Sequence, residues 1–168
     1  MRVIALLLAG LLLAGCSAEP EGLTLVETKS PVQLLRNDAW FRLPDVMIQG
    51  DSETTDVSAA CDDDPDGRLR LWHSSTIALL TNSQAPRVVT AGDDLTATFV
   101  EQGWEAARSE EGNAVLTVLT RASSVAVIEI EAVPKTAEHR ASIRITASGP
   151  CVETAGADSD EVRALEGD

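Results

Sequence analysis

The chain of 168 residues contains no tyrosine, two phenylalanines and three tryptophans. Carbohydrate-binding and antibody-like surfaces lean on Trp and Tyr, so a broad stacking surface has little to draw on here. Basic residues are also scarce. Thirteen Lys and Arg stand against 27 Asp and Glu, a formal charge of −14. Such a chain repels phosphate backbones, which excludes nucleic acid as a partner. No apolar run reaches 18 residues, so the chain is not a polytopic membrane protein. There is no G-x-S-x-G elbow, no phosphate-binding G-x-x-x-x-G-K-[ST] loop and no H-E-x-x-H pair. No C-x-x-C pair is present either, which disfavours thioredoxin-like redox chemistry. His73 and His139 alone are available as general bases near neutral pH. No catalytic residue and no cofactor is assigned from these absences.

The N-terminus reads as a sorting segment. The first sixteen residues read MRVIALLLAGLLLAGC, with Arg2 ahead of an apolar stretch from Val3 to Leu13 that is too short for a spanning helix. The segment closes on Leu13, Ala14, Gly15 and Cys16. This resembles the lipobox of bacterial lipoproteins. The resemblance implies diacylglyceryl transfer to the Cys16 thiol, cleavage just before it by signal peptidase II, and anchoring on the extracytoplasmic face of the cell membrane. Two or more acyl chains are needed for stable anchoring, because one chain binds only marginally. Removing residues 1–15, and Arg2 with them, leaves 153 residues and a formal charge of −15. So acidic a domain is expected to stand off an anionic membrane surface.

Lipidation of Cys16 leaves Cys61 and Cys151 as an even remainder in an oxidising compartment, and they are predicted to form one disulfide. The expected organisation is a signal peptide at 1–15, a lipid-anchored tether at 16–29, a folded domain at 30–152 and an acidic disordered tail at 153–168. The tail reading rests on six acids, one Arg and few bulky apolar residues.

Within the domain, Ser30 as N-cap and Pro31 at the first helical position predict a helix ending at Leu43 before Pro44. The stretch from Gln49 to Ala60 reads as polar and irregular, and a long strand is expected after it through RLRLWHSSTIALL. A second helix is expected from about Ala91 to Gln102, with Thr90 and Asp93 resembling a capping box. Gly103 suits its left-handed C′ position, and Trp104 is placed to fold back on the last turn. Four strands come next, over 104–108, 114–121, 125–133 and 141–148. Ile128, Ile130, Ile143, Ile145 and Ala147 alternate with Glu129, Glu131 and Arg144, so one face of that sheet is apolar. The expected fold class is α+β, a two-layer sandwich with two helices packed on one antiparallel sheet and one disulfide.

Three features invite chemistry. His73 stands next to Trp72 on a strand and would serve a hydrolase if an acid lay beside it. A half-buried structural histidine accounts for it more simply. Glu129 and Glu131 share a strand face, but Arg144 and Arg70 on neighbouring strands favour cross-strand ion pairing over glycoside chemistry. Asp62, Asp64, Asp66 and Gly67 fit D-x-D-x-D-G, similar to the first half of an EF-hand calcium loop. His73 stands at the twelfth position where a bidentate Glu belongs, Pro65 interrupts the loop, and no flanking helices are expected. An acidic turn ahead of a strand is the simpler account of those aspartates.

With 11 Arg, 2 Lys and abundant Ala and Asp, the chain is similar to small envelope lipoproteins of high-GC actinobacteria. That resemblance implies a non-enzymatic binding or interaction module, meeting an envelope protein or small ligand. A cell-wall modifying hydrolase using His73 and a weak calcium-binding module stand as alternatives.

Overall fold

The computed structural model describes residues 22–44, 51–62, 64 and 66–167. The expected signal peptide, the expected lipidation residue Cys16 and the first part of the expected tether lie outside these residues. Three α-helices and seven strands are formed among the described residues: α1 (Leu25–Phe41), β1 (Asp51–Ala60), β2 (Leu69–Leu79), α2 (Val88–Val100), β3 (Glu105–Glu111), β4 (Ala114–Thr120), β5 (Val127–Val133), β6 (Ser142–Ser148), β7 (Val152–Glu153) and α3 (Asp160–Glu166). The strands build one antiparallel sheet in the order β1-β2-β6-β5-β4-β3, and β7 extends the β6 side of β2. The architecture is α+β, with helices on one sheet face.

Alternation decides which face is covered. Trp72, Ala78, Leu119, Ile128, Ile130, Ile143, Ile145 and Ala147 point to the helices and are almost fully buried. Ala91, Leu95 and Phe99 of α2 pack on the isoleucines. Leu25 and Val32 of α1 join Trp72, Ala147, Val152 and Val162 in a second cluster. Close approach is required where α1 crosses β6. A Cβ on Gly149 would lie 3.3 Å from both Thr28 Cβ and Val32 Cγ2.

The first helix begins six residues before the expected Pro31 start. Its N-cap is Thr24, whose backbone N–H and hydroxyl donate to Glu27 Oε2 at 2.9 and 2.8 Å. These bonds hold the Glu27 carboxyl below its usual pKa. The T-L-V-E run at 24–27 is itself a capping-box pattern, outranked in the sequence by Ser30–Pro31. Pro31 lies inside the helix on its exposed side, where water can take the carbonyl its ring leaves free. Burial of Leu25, Thr28 and Val32 against the sheet offsets that loss. The tether therefore ends by residue 24, and the folded domain starts earlier than residue 30.

Residues 51–60, expected to be irregular, form edge strand β1. Its covered side meets polar rather than apolar groups, so hydrophobic alternation is missing. Thr54 and Thr76 hydroxyls bond at 3.0 Å, and Arg36 of α1 donates to Ser74 Oγ at 2.9 Å and to Asp56 Oδ2 at 3.2 Å.

The expected disordered tail is folded over residues 153–167. Glu153 and Val152 pair with Leu69 and Arg70, and Thr154 N–H donates to the Arg68 carbonyl at 2.8 Å. Ser159 caps α3 by accepting from Val162 N–H, and Gly167 closes it at φ 87°. Net acidity hid this segment, because a short capped helix needs few apolar residues once Val162 joins the buried cluster around Trp72. Glu166 Oε1 accepts from Ser58 N–H at 2.9 Å and Ser58 Oγ at 2.7 Å, fastening α3 to β1.

The second helix starts at Val88 behind a 3-10 turn at Ala85–Arg87, with Arg87 at its N-cap and no side-chain cap from Thr90. Its ending is as expected. Gly103 has φ 84°, Trp104 N–H returns to the Phe99 carbonyl at 3.1 Å, and the two rings meet edge to face at 5.6 Å.

Cys61 and Cys151 are bonded, with Cα atoms 6.2 Å apart across 90 positions of sequence. Closing so long a loop constrains the unfolded chain, so the double variant Cys61→Ser/Cys151→Ser should lose about 4 kcal/mol in urea unfolding. Ser58 lowers the Glu166 pKa through its side-chain and backbone bonds. A depressed carboxylate contributes stability that is complete above the ordinary glutamate range and lost as pH falls through the depressed value. The Ser58 amide resonance should track that titration in wild type and become flat in Glu166→Gln.

Candidate functional surface

Helices cover one side of the sheet, and among the described residues no element covers the opposite side. Successive β2 residues alternate between the two, so Trp72 lies under the helices while Leu71, His73, Ser75 and Ile77 face outward. Register carries this face across the sheet. Val57, His73, Ser148 and Val127 form one cross-strand row, and Thr55, Ser75, Thr146, Glu129 and Val118 form the next. Most of these side chains are half-buried by their neighbours, and Thr146 is buried. The surface is a mixed field of hydroxyls and aliphatics, crossed by a row containing Arg144 and Glu131.

That charge row behaves as expected. Glu131 stands directly opposite Arg144, and their side chains pair at 3.5 Å. Arg70 does not join them. Its guanidinium lies on the covered face and donates to Ser58 Oγ at 3.0 Å and to the Ser58 carbonyl at 2.9 Å. Arg70 thus belongs to the α3 attachment, because an even-numbered β2 residue shares the Trp72 face.

His73 is half-buried on the open face, its Nδ1 3.3 Å from Ser148 Oγ. Among the described residues no carboxylate is hydrogen-bonded to it. A Ser–His pair needs a third group to orient the base and donors for the developing oxyanion. Here the two residues are a directly opposed cross-strand pair joined by one long hydrogen bond. His139 is exposed in the β5–β6 turn, where Thr136 Oγ1 accepts from the Glu138 and His139 amides.

Of the aspartates in the D-x-D-x-D-G segment, Asp64 is spent on backbone. Asp64 accepts from the Leu69 amide through Oδ2 and from the Asp66 amide through Oδ1 at 3.2 Å, while Asp62 and Asp66 are exposed. Gly67 turns the chain at φ 67° into β2. No group of three His, Cys, Asp or Glu side chains converges among the described residues.

Two surface depressions flank the open face. One of about 420 Å³ lies at the β5–β6 turn and is lined by Leu79, Asn113, Val133, Thr136, His139 and Ser142 among others. The other, about 370 Å³, lies at the β4–β5 turn beside Glu105, Thr120, Arg121 and Val125. Neither includes His73, Trp72 or the aspartate turn. The sequence reading missed the outward hydroxyls of β2 and β6. Their signal was present in the polar members of L-x-H-x-S-x-I, once Trp72 was assigned to the other face. Comparison with family models, with curated proteins and with solved structures finds no match.

Asp64 acts here as a cap for the chain entering β2. Asp64→Ala should therefore cost about 1 kcal/mol in thermal or urea unfolding, by the same amount in millimolar calcium and in EDTA.

Proposed function

We propose that this chain is an envelope lipoprotein held to the membrane by acyl chains on Cys16, and that its domain is a non-enzymatic interaction module. The observation that carries this reading is the N-terminal segment itself: Arg2, a short apolar stretch, and L-A-G-C at 13–16. The Cys61–Cys151 disulfide is compatible with an exported, oxidising location. The open sheet face supports binding over catalysis. It offers half-buried hydroxyls and aliphatics in register, while its best-placed ionisable residues are paired with each other or with hydroxyls. A protein or small ligand of the envelope that presents complementary apolar and hydroxyl groups is the fitting partner.

Cys16→Ser expressed in a bacterial host tests the anchor. The wild-type chain should partition into the detergent phase and incorporate labelled palmitate. The variant should remain unlabelled and keep residues 1–15, whose apolar segment can still hold it in the detergent phase, so labelling and cleavage are the readouts. Palmitate incorporation by the variant, or its cleavage before residue 16 as in wild type, would remove the lipoprotein reading.

A further inference from the structure

Among the described residues, the three most exposed large hydrophobic side chains all lie on α1. Phe41 is 74% exposed, Leu34 67% and Val26 53%. Their spacing of eight and seven residues places them within an arc of about 80° on the helix. That arc points away from the sheet, opposite the buried line of Leu25, Val32 and Ala39. Ser30, Gln33 and Asn37 lie between them, so the stripe itself carries no charge.

The electrostatic setting of this helix differs from that of the chain. Residues 25–42 hold Lys29, Arg36 and Arg42 against Glu27 and Asp38, whereas the whole chain is at −14. Arg36 is held by Asp56 beneath the helix and Lys29 lies over Trp72, so Glu27, Asp38 and Arg42 are the charges left toward solvent. Asp38 is further paired with Arg42 at 2.9 Å, leaving little free negative charge on the outer side.

Position supplies the occupant. Only eight residues, 17–24, separate Cys16 from the start of α1. Fully extended, the step from Cys16 to Leu25 spans about 30 Å at most. A chain anchored at Cys16 keeps the start of α1 within about 30 Å of the bilayer surface, and no other described element is joined to Cys16 by so short a segment. At that effective concentration a contact too weak to recruit a free protein is sufficient to orient a tethered one.

We propose that the outer face of α1 docks on the bilayer surface, seating Leu34 and Phe41 at the boundary between headgroups and acyl chains. This rests on Cys16 being the lipid anchor. It replaces the expectation of a domain standing off the membrane with one lying on a defined side. With α1 as the foot, the helical layer faces the lipid, and the open sheet face is turned outward to meet partners.

The test uses the full lipidated chain, purified from membranes and reconstituted in phosphatidylcholine vesicles with bromines near the headgroup end of the acyl chains. In Phe41→Trp, bromolipids should quench the introduced indole at least about twofold more than in a Val57→Trp control on the open sheet face. Adding Leu34→Asp should abolish that difference without releasing the protein from the vesicles. Wild-type hydrogen exchange gives a second readout that needs no substitution: protection of 25–41 should rise on reconstitution. Protein that floats with vesicles but shows neither quenching nor protection overturns the docking and leaves the anchor intact. Failure to float at all overturns both. Protection that grows with protein density, without quenching, assigns the stripe to a second copy and also overturns the proposal.

Discussion

Burial of Trp72 ties the two ends of the folded chain together. The indole is fully buried on β2, in one apolar cluster with Leu25 and Val32 of α1, Val152 of β7 and Val162 of α3. Lys29 Nζ lies 4.6 Å from the ring centroid, and the same ammonium donates to the Leu165 carbonyl of α3. One side chain is therefore the shared partner of the first and last helices. The arrangement has a cost, since the buried Nε1–H finds no hydrogen-bond partner among the described residues. A group so placed costs about 1–3 kcal/mol. Apolar burial of the ring and the cation above it offset that loss.

The disulfide sits at the margin of this cluster. Cys61 precedes β2 and Cys151 directly precedes β7, so the bond brings the loop before Trp72 beside the strand that carries Val152. The segment after Cys151 is then confined near the covered face. Val152, Val162 and Glu166 can hold that last segment with few apolar residues because the bond has already limited where it can go. The polar seam under α1, made of Arg36, Ser74 and Asp56, does similar work on the other edge. It replaces apolar contact with a nearly buried guanidinium bonded on several sides, and it specifies which strand lies beneath the helix.

Legibility in the sequence tracked the strength of local pattern. In β5 and β6, Ile128, Ile130, Ile143 and Ile145 alternate with charged residues, so strand, face and even the Glu131–Arg144 pair were readable. The end of α2 was readable for a different reason. Gly103 and Trp104 carry a backbone requirement and a packing requirement in adjacent residues. The start of α1 was misassigned because Ser30–Pro31 is a strong local signal, while burial of Leu25 and Thr28 is a tertiary fact. β1 was hidden because its covered side faces hydroxyls and an arginine. For α3, acidic composition outweighed one buried valine.

By itself, the sequence determined the layer pattern, the polarity of the central sheet faces and the cysteine pairing. These depend on period and parity, which are local quantities. Tertiary structure alone decided which of the β2 faces the helices cover, that Asp64 is consumed by backbone amides, and that Arg70 belongs to the attachment of α3. It also decided which side of α1 is left bare, because a helix with apolar residues on two sides buries only the one that meets the sheet. The identity of Leu34 and Phe41 was written in the chain, but their exposure depended on where Leu25, Val32 and Ala39 found their partners.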